Sequence, residues 1–210
     1  DAVPVTDRGV LLLRADADRA VAWARRGLVA VHVVPQEGGW VVVCPLGERS
    51  EAPPPYDGAL TALLARPVPR RLCPALGVAV VGERLILNVV VPAIRPRRLW
   101  LAWEPGVGLV RPGTLPITTV ATLAAAVGRP NKAPTTDLAA RVLRDGRGTA
   151  DQVLTDLLRA LDVPGAQFVS GDSHAGTQPH AVAVIPERQD VSRFERRTRE
   201  DHRWHEESQR

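Results

Sequence analysis

The chain contains no methionine, a single lysine, two cysteines and few aromatics, with Trp, Tyr and Phe together making up 4% of its residues. Each shortage excludes something. Two cysteines, Cys44 and Cys73, cannot complete a zinc tetrahedron without other partners and cannot form a disulfide framework. Both are read as free thiols in a reducing compartment. With so few aromatics, the core must be built from Val, Leu and Ala. No apolar run approaches the roughly 20 residues that a membrane-spanning helix needs. The segment from Asp1 to Pro4 lacks a basic-then-apolar leader, so a cytoplasmic location is expected. Without a methionine, Asp1 is not a native start, and removal of an upstream segment is expected.

Charge is skewed in kind more than in amount. Lys132 is the only lysine, so arginine supplies nearly all of the 27 basic residues, yet the net charge is only +4 over 210 residues. Arginine stays protonated to about pH 12 and above, so a small excess drives the isoelectric point high. Enrichment in Ala, Val, Gly and Pro alongside Arg fits GC-rich codon usage, and the basic balance is weak evidence for phosphate binding. A hydrophobic share of 45% with 24% charged residues is that of a folded globular chain.

What is present is a sequence of alternating patterns. Gly9–Arg14 carries a continuous apolar run, as in a strand buried on both faces. Ala17–Arg26 shows a helical stripe of Ala20, Val21, Trp23 and Ala24, with Asp16 or Asp18 as cap and Gly27 as terminator. Leu28–Val34 and Trp40–Cys44 read as a hairpin around Pro35–Gly39. Pro53-Pro54-Pro55 makes a stiff elbow before a helix over Asp57–Arg66. Leu76–Val81 and Leu85–Val91 form a second hairpin around Gly82-Glu83-Arg84, and Leu99–Trp103 is a further strand. The order β-α-β-β-α-β-β predicts an α+β protein built on a ferredoxin-like (split βαβ) antiparallel sheet with two helices on one face, over residues 8–104.

Beyond residue 104 the texture changes. Helices are expected over Ile117–Val127, Thr136–Arg144 and Thr149–Leu161, the last with Val153, Leu154, Leu157, Leu158 and Leu161 on a broad apolar face. Gln167–Val169 and Ala181–Ile185 read as a short hairpin. Residues 105–187 are therefore expected to form a mainly helical portion packed on the sheet. Residues 188–210 are expected to form a charged helical tail, started by a capping box at Ser192 and Glu195 and lined with i,i+4 ion pairs.

Three groups of residues are candidates for function. Asp172, His174 and His180 crowd one loop, where two imidazoles and a carboxylate suit a catalytic metal with an open position. Arg95, Arg97 and Arg98 beside Trp100 and Trp103 suit phosphate neutralisation and base stacking. Along a strand, however, Trp100 and Trp103 have opposite parity and face opposite sides. Phe194 and Trp204 suit anchoring of the tail on another subunit or a partner, with His202 and His205 making that contact pH-sensitive. Gly106-Val107-Gly108 and Lys132 lack the frame of a phosphate loop. His32 reads as a core-edge histidine.

The expected architecture names no chemistry, because one fold hosts many functions. The reading that best fits is a non-enzymatic interaction or regulatory module without cofactor, acting as a homo-oligomer or on a protein partner and not on a membrane. A metal-dependent hydrolase using the 172–180 loop and a nucleic-acid-associated protein using the Arg95–Arg98 patch are the alternatives.

Overall fold

The structure, a computed structural model, describes the backbone of residues 7–128 and 134–208 and the side chains of residues 7–128 and 136–198. Lys132 lies outside the described residues, as do the side chains of His202, Trp204 and His205.

The described strands form one eight-stranded antiparallel sheet: β1 (Arg8–Arg14), β2 (Val31–Pro35), β3 (Trp40–Pro45), β4 (Ala75–Val81), β5 (Arg84–Val91), β6 (Arg97–Glu104), β7 (Gly108–Val110) and β8 (Val182–Val184). Their order is β7-β6-β5-β4-β1-β3-β2-β8. Central β1 pairs with β3 through Leu12 opposite Val42, and with β4 through Leu12 opposite Leu76.

Period-two alternation splits the strands between two cores. On one face, Leu11, Leu13, Val31, Val33, Val41 and Val43 pack under α1 (Ala17–Arg25) and α2 (Ala59–Ala65), which supply Ala20, Trp23, Ala24, Leu63 and Leu64. On the other, Val10, Leu12, Val42, Leu76, Leu87, Leu101 and Trp103 pack under α3 (Val120–Val127), α4 (Pro134–Arg144), α5 (Ala150–Ala160) and α6 (Ala166–Ser170). α5 contributes Val153, Leu154, Leu157 and Leu158 to this core. It starts at a capping box in which Thr149 Oγ1 accepts from the Gln152 amide and Gln152 Oε1 accepts from the Thr149 amide.

The expected ferredoxin-like sandwich is not what forms. That architecture is a four-stranded sheet with two helices on a single face, whereas here eight strands are covered by helices on both faces. The physical reason lies in the strands themselves. Val10 to Leu13 are all essentially inaccessible, as are Val41 to Val43, and a sheet apolar on both faces must be covered on both.

Other expectations are also corrected. Gln167–Val169 belongs to α6 and not to a strand, while Val182–Val184 forms a strand on the far edge beside β2. Gly108–Val110, in the portion expected to be mainly helical, is an edge strand on β6. The tail helix α7 (Arg188–Ser208) starts four residues before Ser192, so Ser192 and Glu195 lie inside the helix and do not cap it. Among the described residues, no helix is long and apolar enough to cross a membrane.

Candidate functional site

The three groups of candidate residues fare differently. Asp172, His174 and His180 are all exposed, and Asp172 Oδ2 accepts a 2.6 Å hydrogen bond from Ser170 Oγ in its own loop. Among the described residues no three His, Cys, Asp or Glu side chains converge in a metal-binding arrangement. Arg95 and Arg97 are exposed, but Arg98 is turned inward. Its guanidinium donates to the carbonyls of Ala65 and Arg66 at the C-terminal end of α2. Trp103 is wholly buried in the core, and Trp100 sits half-buried on the opposite face of β6. The basic patch is therefore divided between solvent and a structural cap. Phe194 packs inside its own chain: its ring meets Tyr56 edge-on, with centroids 5.6 Å apart and planes at 89°.

The contact between Phe194 and Tyr56 marks a groove of about 980 Å³. Its walls come from three places. The end of α1 and the following turn give Arg26, Gly27 and Leu28; Tyr56, Ala62, Ala65, Arg66 and Pro67 come from the elbow and α2; Asp190, Arg193, Phe194, Arg197 and Thr198 come from α7. A volume near 1,000 Å³ with mainly apolar walls and a few polar groups is typical of a ligand site.

Two arginines hold this region in shape. Helix C-termini leave unpaired carbonyls and a partial negative charge, which basic side chains satisfy. Arg98 does this for α2. Arg66, at the end of α2, does it in turn for α1: its Nη2 donates to the Trp23 carbonyl while its guanidinium stacks on the Trp23 ring, 3.8 Å from the centroid. The stacking contributes a cation–π attraction on a partly desolvated ring. Glycine at position 27 is required for this approach, since a Cβ there would lie 2.5 Å from Arg66 Nη1. The α1 end is completed from α7's side, where the Glu187 amide donates to the Arg25 carbonyl at 2.8 Å.

Electrostatically the groove is cationic. Among the described residues, Arg26, Arg66, Arg193 and Arg197 line it against one carboxylate, Asp190. Asp190 forms an ion pair with Arg193 at 3.3 Å. Burial pulls the Arg66 guanidinium down to about 10, with Asp190 opposing that shift, so Arg66 is charged at neutral pH but incompletely solvated.

A second concavity of about 590 Å³, between the start of β1 and the start of α2, is lined in part by Cys44. Burial pushes the Cys44 thiol up to about 12, and a thiol held protonated is a poor nucleophile and metal ligand. Cys73 is also shifted up by burial, with Arg98 opposing.

Sequence reasoning singled out Phe194 but missed Tyr56, Arg26 and Arg66. One signal was available on the tail: Asp190, Arg193, Phe194 and Arg197 follow the i, i+3, i+4, i+7 spacing of a single helix face. No family model matches the chain, and no curated protein or solved structure matches it.

Proposed function

We propose that this chain is a non-enzymatic protein-interaction module that receives its partner in the groove between α7 and the C-terminal ends of α1 and α2. The observation that supports this reading is the make-up of that groove. It combines two aromatic rings with four guanidiniums on a framework of capped helix ends. Tyrosine and arginine are the residues that dominate the energetics of protein interfaces, and aromatic rings rimmed by charge are the usual form of a binding hot spot.

The test is capture of a partner by the full chain compared with Tyr56→Ala and Arg197→Glu. A photo-crosslinker at position 197 is expected to label one discrete protein, whose purified form binds the native chain and not the variants. A crosslinker at exposed Arg147, beyond the other core, serves as control. Light scattering of the same proteins tells a second copy from a foreign partner. Equal capture by native chain and variants would remove the groove from the interaction.

A further inference from the structure

We infer that the groove is built for an acidic segment of a partner protein that lays an apolar side chain against the exposed part of Tyr56; the inference rests on the interaction reading above and specifies its partner. Charge complementarity carries it. Of the four arginines lining the groove, Arg193 is the one held, at 3.3 Å, by Asp190, the only lining carboxylate among the described residues. Arg26 and Arg197 are exposed and form no ion pair among the described residues, although they stand on opposite walls.

Positioning sharpens the argument. Arg66 is fixed between them by its stack on Trp23 and its bond to the Trp23 carbonyl, so its charge needs no ordering when a ligand arrives. Burial lowers its pKa and Asp190 only partly opposes that shift, as expected for a partly desolvated cation. A carboxylate-bearing segment entering the groove passes between walls that carry Arg26, Arg66 and Arg197, and charge-assisted hydrogen bonds to these guanidiniums are stronger than neutral ones. The apolar requirement comes from Tyr56, which lines the groove and is 47% exposed despite its edge-on contact with Phe194. An anion without an apolar body leaves that surface wet, and an apolar peptide without acid leaves the arginines desolvated and unpaired.

The experiment uses the full chain, immobilised, and three peptide pools. All vary Phe and Leu at the apolar positions, while the polar positions are all Glu, all Gln or all Lys. The Glu pool is expected to be retained roughly tenfold more than the Gln pool, with the Lys pool lowest, as two or three charge-assisted contacts imply. Salt should erode that preference. Arg26→Glu with Arg197→Glu should abolish it. The milder pair Arg26→Gln and Arg197→Gln, checked for an unchanged unfolding midpoint, should reduce it to the Gln-pool level.

Equal retention of the Glu and Gln pools overturns the acidic partner while leaving groove binding intact. Retention of none of the pools, with crosslinking at position 197 still seen, also overturns it. Loss of both pool retention and groove-dependent crosslinking overturns the underlying interaction reading as well. A single-stranded oligonucleotide held more tightly than the Glu pool assigns the cations to nucleic acid instead. A dimer dispersed by the same charge reversals assigns them to a second copy of the chain.

Discussion

Arg98 donates a hydrogen bond to the backbone carbonyl of Arg66, while the Arg66 side chain points away from it onto the ring of Trp23. Two like-charged residues are thus linked in series, each closing the C-terminal end of a different helix. The arrangement spends Arg98, the most inward member of the expected nucleic-acid patch, on holding the groove's floor. Arg98→Ala should leave two α2 carbonyls without their donor and cost about 1–3 kcal/mol in urea unfolding. Arg95→Ala and Arg97→Ala, both at exposed positions, should stay within about 0.5 kcal/mol of the native chain. Equal costs at all three positions would deny Arg98 its capping role.

Asn88 is buried opposite Gly77 on β4 and opposite Trp100 on β6. Its Nδ2 donates to the Leu64 carbonyl at 3.4 Å, and its Oδ1 has no partner. A Cβ on Gly77 would lie 2.8 Å from Asn88 Nδ2 and 2.9 Å from a Leu64 methyl. Gly77→Ala should therefore destabilise the fold by about 1–3 kcal/mol through overpacking. Combined with Asn88→Ala it should cost clearly less than the sum, because the smaller side chain vacates the contested space. Additive costs in the double-mutant cycle would place the strain elsewhere.

Cys44 and Cys73 should resist thiol reagents in the native state at neutral pH, Cys44 more completely, and both should react fully in denaturant. The buried Cys44 thiol sits near 12 when folded, against an ordinary value of 9.0. The folded state therefore holds this proton more tightly than the unfolded chain. The stability linked to it is intact below pH 9 and is lost as pH rises toward 12. The stability advantage of the native chain over Cys44→Ala should shrink steadily above about pH 9. A flat difference across that range would mean that the thiolate is tolerated at this position.

The Tyr56–Phe194 contact ties α7 to the elbow ahead of α2. Tyr56→Ala and Phe194→Ala should show a coupling of about 0.5–1.5 kcal/mol, the range for edge-to-face pairs. Hydrogen exchange should quicken over residues 190–198 in either variant, while the strands stay protected. Unchanged exchange there would show that α7 is held by other contacts.

Much of the local structure was legible in the sequence, and the layer arrangement was not. Helices α1, α3 and α5 follow apolar stripes with recognisable starts, and β2 and β3 flank a hairpin loop where glycine supplies positive φ. The β-α-β-β-α-β-β order accounts for helices on one face only. The four consecutive apolar residues from Val10 to Leu13 already required cover on both faces, and that cover comes from helices more than a hundred positions downstream. The strand at Val182–Val184 is too short for its pairing partner to be read from pattern. The groove was hidden for a related reason. Tyr56 and Phe194 meet only in three dimensions, and no local rule links an elbow to a distant helix.

The eighth strand has a consequence for how the chain is made. Val182–Val184 seals β2 by pairing Val31 with Val184, although β2 leaves the ribosome about 150 residues before β8. Throughout the interval the outer edge of β2, with Val31 and Val33, presents unpaired amides and carbonyls to any other extended strand. Synthesis thus passes through a stage in which a nascent sheet is adhesive along one side. A late-arriving three-residue strand ends that exposure, so stalling or truncation short of residue 182 yields a sticky product.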